Sequence, residues 1–399
     1  MTRMPAHHSW VYMDNNATTR TDPRAVEAML PFMSEQFANP SAVHSMGVSC
    51  AEAVRIARSQ ISTLIGIGAH RENEIVFNSG GSESNNTAIL SALQTQAERS
   101  EIVTSSVEHP SILALCAHLE KTGRAKVYRI PVDNRGSLNL DAYHRALSSN
   151  TALVSMQWAN NETGVVFPVV SLASMAHSAG ALFHCDAVQA AGRVAIDVAA
   201  SEIDLLSISA HKMHGPKGIG ALYIRNGVPL MPLIHGGRQE RGRRAGTENT
   251  PAIIGFGAAA EIALQAMSWD MPRVSALRDY LEREILRLIP SAIQIGDRFH
   301  RLPNTLNVAF ENIEADSILT MLDRELIAAS SGAACASGSM SPSHVLSAMK
   351  IPFSHLRGSI RFSLSRESSD SEVDRVIEIL PNIVNGLQVS SVSMEAAYA

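Results

Sequence analysis

Between residues 70 and 225 the hydrophobic positions fall in short runs, separated by stretches whose apolar residues recur at helical spacing. The runs at 74–78, 101–105, 126–132, 152–157, 181–185 and 203–208 predict strands, and the stretches at 84–93, 112–121, 141–147 and 171–179 predict helices. Such alternation implies crossover units and a mainly parallel sheet. The run at 220–225 follows 203–208 so closely that it suits an antiparallel hairpin partner.

Past residue 255 the pattern changes. Helical periodicity over 253–267 and 273–288 leads into a strand at 305–310, a helix at 316–323 and a strand at 360–364. A last helix at 371–387 opens on an acidic, serine-rich stretch of the kind that caps helices. The expected organisation is an α/β chain in three parts. Residues 23–255 form a large domain, 256–399 a smaller α/β domain, and 1–22 a segment that returns to the smaller one.

Composition narrows the function classes. The chain has 399 residues, of which 45% are hydrophobic, enough for a sizeable core. A net charge of −5 gives no electrostatic case for nucleic acid or an anionic membrane. No uninterrupted apolar run approaches the ~18 residues a membrane span needs. Residues 1–8 lack the charged-then-apolar order of a signal peptide, so the cytoplasm is the expected compartment. Cys50, Cys116, Cys185 and Cys335 are scattered without a CxxC pair, which argues against disulfide stapling and a self-contained metal site.

Polar residues cluster where the predicted strands end, the edge at which open α/β sheets bind ligands. Lys212 follows the strand 203–208 between His211 and His214, in a turn punctuated by Gly215, Pro216 and Gly218. A lysine at the end of a core strand is partly desolvated, which makes its amine a candidate nucleophile for an aldehyde cofactor; alone, it also reads as a surface lysine in a hairpin. Ser79-Gly80-Gly81-Ser82 enters a helix and suits a phosphate or an ordinary cap. Asp186 ends an apolar strand, as a partner for a protonated ring nitrogen or as a helix cap. Gln189, three residues on, suits a ring oxygen or a capping box, and His109 follows Glu108 as a stacking group, a proton shuttle or a structural histidine.

Three further features stand out. The stretch 238–244 carries four arginines, Arg238, Arg241, Arg243 and Arg244, without interleaved aromatics. It suits a phosphate-binding, intersubunit or solvated loop. Cys335 lies among small residues from Ser330 to Ser339, which favours an exposed, mobile thiol, whereas Cys50, Cys116 and Cys185 have core-like surroundings. Cys185, next to Asp186, is also a candidate to line a pocket. Arg361, inside an apolar strand, needs an anionic partner, either a substrate carboxylate or an internal carboxylate.

Taken together, Ser209-Ala210-His211-Lys212, the stretch 158–164, the stretch 241–249 and the stretch 330–338 resemble the cysteine desulfurases, which take sulfur from L-cysteine with pyridoxal phosphate. The resemblance runs from Tyr12-Met13-Asp14-Asn15-Asn16-Ala17-Thr18-Thr19 to the last helix, and its details look most like the nitrogen-fixation (NifS) type. It implies fold type I of the PLP-dependent transferases, with a mainly parallel seven-stranded sheet in the large domain. It implies that Lys212 carries the cofactor as a Schiff base, and that Gly81, Ser82, Ser209 and His211 hold its phosphate. Thr247 would join them from the second subunit of a homodimer. Asp186 would pair with the ring nitrogen, Gln189 with the ring oxygen, and His109 would stack and move protons. Asn160, beside the cofactor, and Arg361 would hold the substrate carboxylate.

Cys335 would accept the sulfur as a persulfide and pass it to an iron–sulfur scaffold protein, touching cluster iron only in transit. Two departures bear on this: Ser82 stands where many relatives have threonine, and Ala333, Ala334 and Ala336 stand where relatives often have hydroxyls beside the cysteine. The alternatives are a selenocysteine lyase or aminotransferase of the same fold, or a sulfur-relay scaffold without catalysis.

Overall fold

The computed structural model describes residues 10–331 and 342–398. After strand β1 (Val11–Tyr12), helices α1 (Pro23–Ser34) and α2 (Ser45–Leu64) precede a large sheet. Its strands are β2 (Ile75–Asn78), β3 (Glu101–Ser105), β4 (Lys126–Ile130), β5 (Thr151–Gln157), β6 (Leu182–Asp186), β7 (Leu205–Ser209) and β8 (Gly220–Ile224). Helices α3 (Gly81–Thr95), α4 (Pro110–Lys121), α5 (Leu140–Ala146) and α6 (Val169–Ser178) connect them. The seven strands run in the order β2-β8-β7-β6-β5-β3-β4. Only β8 is antiparallel to its neighbours, hydrogen-bonded to β7 and β2 on either side.

Both faces of this sheet are covered, which is why its strands read as apolar runs and not as alternation. Val76, Ile102, Leu153 and Leu205 pack with α3 and α4 on one face, through Ile89, Ile112 and Leu119. Their neighbours Phe77, Val103, Val154 and Leu206 pack on the other, against α2, α6 and helix α7 (Thr250–Leu288) through Ile61, Leu172 and Phe256.

Past α7 come strands β9 (Ile293–Gln294), β10 (Thr305–Ala309), β11 (Ile327–Ala328), β12 (Ser330–Ser331) and β13 (Ser359–Ser363) and helices α8 (Ala315–Arg324), α9 (His344–Ala348), α10 (Phe353–Leu356) and α11 (Asp370–Tyr398). Of these, β10, β11, β13, α8 and α11 build a second core, while Val345 and Leu346 of α9 pack into the large one. Four strands form an antiparallel sheet in the order β12-β13-β10-β9. Strand β1 pairs with β11, and Val11 and Met13 join this second core.

The two helices expected over 253–267 and 273–288 are one. Helix α7 runs for 39 residues with Pro272 inside it. Its first half buries Ile253 and Phe256 in the large core, and its second half buries Val274, Leu281 and Ile285 in the smaller one. Burial at both ends outweighs the hydrogen bond a proline removes. Among the described residues α7 is also the one helix long and apolar enough to cross a membrane, and half of its most apolar window is buried within the protein. Helices α1 and α2 were not anticipated.

Candidate active site

Strands β2, β3, β5, β6 and β7 run parallel, so their C-terminal ends share one edge of the sheet. A cavity of about 310 Å³ opens there. Gly81, Ser82, His109, Asp186, Gln189, Ser209, His211, Lys212 and Arg361 all line it. They come from segments up to 280 positions apart (Gly81 to Arg361), brought together by the order of the strands.

At one end of the cavity Gly81 begins α3, capped by Gly80 at φ 151°. A side chain is excluded on Gly220 of β8, whose Cβ would lie 2.6 Å from Gly80 Cα. This close approach leaves the first N–H groups of a 15-residue helix directed at the cavity, beside Ser209.

In the middle, Asp186 is buried. Its Oδ2 accepts from Asn85 Nδ2 at 2.7 Å and its Oδ1 from the Val188 N–H at 3.0 Å. Gln189 Nε2 donates to the Asn16 carbonyl at 3.0 Å, while its Oε1 accepts from Arg193. Arg193 also donates to the Lys212 and Asn15 carbonyls. Complete burial pulls its guanidinium down to about 9, with Arg361 adding to the shift.

Lys212 sits in a single 3-10 turn after β7, and its Nζ donates to the carbonyls of Asn16 at 2.5 Å and Ala17 at 2.7 Å. Its neighbour His211 is pulled down to about 4, by burial first and then by Lys212, Lys217 and Arg193, so the ring is neutral. His109 caps α4 by accepting the Ser111 N–H at Nδ1. Burial lowers its affinity for a proton, Asp186 raises it, and Lys212 and His344 lower it further.

At the far end Arg361 projects from β13, almost fully buried. Nη2 meets Asp14 Oδ1 at 2.6 Å, and Nη1 donates to the Asn161 carbonyl at 3.1 Å. Arg361 thus has an internal anion, yet its Nε remains without a partner among the described residues. Asn85 Oδ1 and Gln157 Nε2, also at the cavity wall, are likewise buried without partners. A cavity with a glycine-rich helix start, a terminal carboxylate, a lysine and several unsatisfied polar groups fits a phosphorylated, aromatic, aldehyde-bearing cofactor together with a carboxylate substrate.

Two expectations resolve differently. Asn160 does not line the cavity. Its Oδ1 accepts from the N–H groups of Glu162 and Thr163, and its Nδ2 donates to the Val107 carbonyl, so its amide closes the turn after β5. Asn161 lines the cavity instead. Two adjacent asparagines look equivalent in a sequence, and only the direction of the turn separates them. Cys185 is fully buried and absent from the wall, and burial pushes its thiol well above its ordinary value. Its neighbour Asp186 occupies the opposite side of the strand, as the pleat requires.

Thr247 lines a separate recess of about 150 Å³ with Ser79, Gly218 and Arg244. Its loop is held by Arg244 to Glu83 at 2.9 Å and by Arg58 to Glu240 at 2.7 Å. Cys335, in the stretch 332–341, lies outside the described residues. Asn85 and Gln157 line the cavity without any signal in the sequence, whereas Asn161 and Asn16 lie in the stretch 158–164 and in the Asp14–Thr19 motif, whose Asn16 and Ala17 carbonyls contact Lys212 directly.

The family description "Aminotransferase class-V" matches residues 11–376. The chain is 58% identical over 389 residues to a cysteine desulfurase of Gluconacetobacter diazotrophicus, covering 98% of this chain and 97% of that protein. It is 52% identical over 378 residues to the cysteine desulfurase NifS of Azotobacter vinelandii, covering 95% of this chain and 93% of that one. A solved NifS-like protein superposes with a TM-score of 0.88 at 36% identity, covering 95% of this chain and all of that structure. With this fold, this cavity and these near full-length similarities, the chain belongs to the class-V aminotransferase family and, within it, to the cysteine desulfurases.

Proposed function

We propose that this cysteine desulfurase holds pyridoxal phosphate on Lys212 and moves sulfur from L-cysteine to Cys335 as a persulfide. An iron–sulfur scaffold protein serving nitrogenase cluster assembly then takes the sulfur. The observation that carries the chemical part is the convergence of Lys212, Asp186 and Arg361 on one cavity. They supply an amine, a carboxylate able to pair with a protonated ring nitrogen and a carboxylate-binding fork. The likeness to the relative named NifS supports the nitrogenase assignment.

When bound, the cofactor serves as an electron sink that labilises the substrate's Cα proton and its Cβ–S bond. The residues of the chain do the rest. Gly81, Ser82, Ser209 and His211 bind phosphate, with Thr247 supplied by the second copy in a homodimer. Neutral His211 contributes as a hydrogen-bond donor. Asp186 holds the ring nitrogen protonated, and Gln189 donates to the ring oxygen. Arg361 and Asn161, the latter in place of Asn160, orient the substrate carboxylate.

Lys212, once released, takes the Cα proton. His109 assists protonation changes at the substrate thiol. The Cys335 thiolate then attacks the substrate sulfur: an S–S bond forms, the C–S bond breaks, and its electron pair remains with the carbon fragment, which leaves as alanine after protonation. A free thiol near its ordinary value is only a few per cent ionised at neutral pH, so cationic neighbours accelerate this step.

The test is brief exposure to L-cysteine without reductant, followed by intact mass, peptide mapping and an alanine assay. One added sulfur on the Cys335 peptide with matching alanine is expected, and Cys335→Ala should keep the cofactor but lose sulfur transfer. Unmodified protein that forms pyruvate or an exchanged amino acid instead would overturn the reading.

A further inference from the structure

Asp186 and His109 face the cavity from different strand ends, yet one hydrogen-bond chain joins them. Asn85, on the first turns of α3, is only 1% exposed. Its Nδ2 donates to Asp186 Oδ2 at 2.7 Å and also to Ser111 Oγ at 3.0 Å. Ser111 Oγ in turn lies 2.8 Å from His109 Nδ1, and the Ser111 N–H donates to the same nitrogen at 3.1 Å. The next residue of α3, Asn86, donates to the Ser111 carbonyl at 3.1 Å, so the start of α4 is held to α3 at two points.

The donor directions follow from the chemistry. An amide nitrogen only donates, so both Asn85 N–H groups are committed, one to the carboxylate and one to the hydroxyl. Ser111 Oγ, having accepted from Asn85, has its own proton to give, and the acceptor within reach is His109 Nδ1. That nitrogen already accepts a backbone N–H, so it carries no proton of its own, and the ring proton belongs on Nε2.

We propose that Asn85 and Ser111 are positioning residues that tie Asp186 to His109 and hold the His109 imidazole as its neutral Nε2–H tautomer. The proposal rests on reading Asp186 and His109 as flanking one cofactor. Protonating Nδ1 would oppose it to two donors, so the relay resists the imidazolium in a cavity that already contains Lys212 and Arg361. The charged groups facing His109 are Asp186, which favours its protonation, and Lys212 and His344, which oppose it. The relay also explains why Asn85 is oriented with Oδ1 unpartnered at the cavity wall: its nitrogen is fully used.

The test is 15N NMR of the full-length protein carrying labelled histidine, with the His109 signals assigned by loss in His109→Gln. In the wild type, Nε2 is expected protonated and Nδ1 bare across neutral pH. Asn85→Leu frees the Ser111 hydroxyl to turn and accept, so the His109 midpoint should rise by about half a pH unit or more and the tautomers should mix. Ser111→Ala, a change at a half-buried site that preserves the fold if the core variant does not, should shift it the same way by less. Ser111→Thr should restore the wild-type signals. Unchanged tautomer and titration in Ser111→Ala, or in a folded Asn85→Leu, overturns the relay. Failure of the underlying reading would show differently, as wild-type protein that neither takes up pyridoxal phosphate nor releases alanine from cysteine.

Discussion

Arg361 Nη2 lies 2.6 Å from Asp14 Oδ1, which joins the buried arginine of β13 to the segment that follows β1. The pair is asymmetric: the arginine side chain is 3% exposed and the aspartate 21%. Water can compensate Asp14 but not Arg361, so removing the carboxylate leaves a buried cation without its anion. Asp14→Ala is expected to lower the melting temperature and, by freeing the Arg361 fork, to lower KM for L-cysteine. Because an amino-acid carboxylate can replace the lost anion, saturating L-alanine should raise the melting temperature more in the variant than in the wild type. Equal ligand shifts in a thermal melt would show that Asp14 does not share the carboxylate's place.

The adjacent asparagines should separate cleanly. Asn160 closes a buried turn through three backbone partners, so Asn160→Ala should cost about 1–3 kcal/mol of stability in denaturant melts. Asn161 lines the cavity, and its carbonyl serves Arg361 and Asn16. Asn161→Ala keeps that carbonyl and should leave the melt nearly unchanged while raising KM for L-cysteine roughly tenfold, the scale of one lost charged hydrogen bond. Steady-state kinetics giving the opposite ranking would restore Asn160 to the substrate site.

Glu108 predicts a pH dependence of stability. It is fully buried, its Oε1 accepts from Ser105 at 2.6 Å and the Gln157 N–H at 3.0 Å, and its Oε2 has no partner among the described residues. Burial pushes its carboxyl up to about 8, against the opposing hydrogen bond from Ser105. The folded pKa is raised, so the unfolded chain releases this proton first. The stability the neutral form contributes is present below the ordinary carboxylate range and is lost as pH rises toward 8. Glu108→Gln, which cannot ionise, should therefore gain on the wild type between pH 5 and pH 8, by about 1–5 kcal/mol at the upper end. Parallel melts at the two pH values would expose the error if the gap stayed constant.

Lys212 supplies a spectroscopic test. Its ammonium is held by the Asn16 and Ala17 carbonyls, which fixes the amine at the cavity floor. Lys212→Ala should lose the visible absorption band of lysine-bound cofactor and all alanine formation. Persistence of that band would reassign the attachment site.

Much of this protein was legible in one dimension. The buried strands announce themselves as apolar runs because helices cover both faces of the sheet. The chemistry sits at their ends because a parallel sheet puts those ends on one edge. Lys212, Asp186, His109 and Arg361 were therefore visible as candidates before any packing was known. The tertiary structure decided what depends on direction and on distant partners. It put Asn161, and not Asn160, at the cavity wall by the path of one turn, and it turned Cys185 away from the cavity by the pleat of β6. It joined 253–267 to 273–288 because each half of α7 has its own core to fill. It also set Asn85 and Ser111 between Asp186 and His109, with Asn85 bonded to residues 26 and 101 positions further along the chain. Local pattern encodes which residues are buried, but the hydrogen bonds that orient a site form between segments whose meeting is fixed only by the order of strands in the sheet.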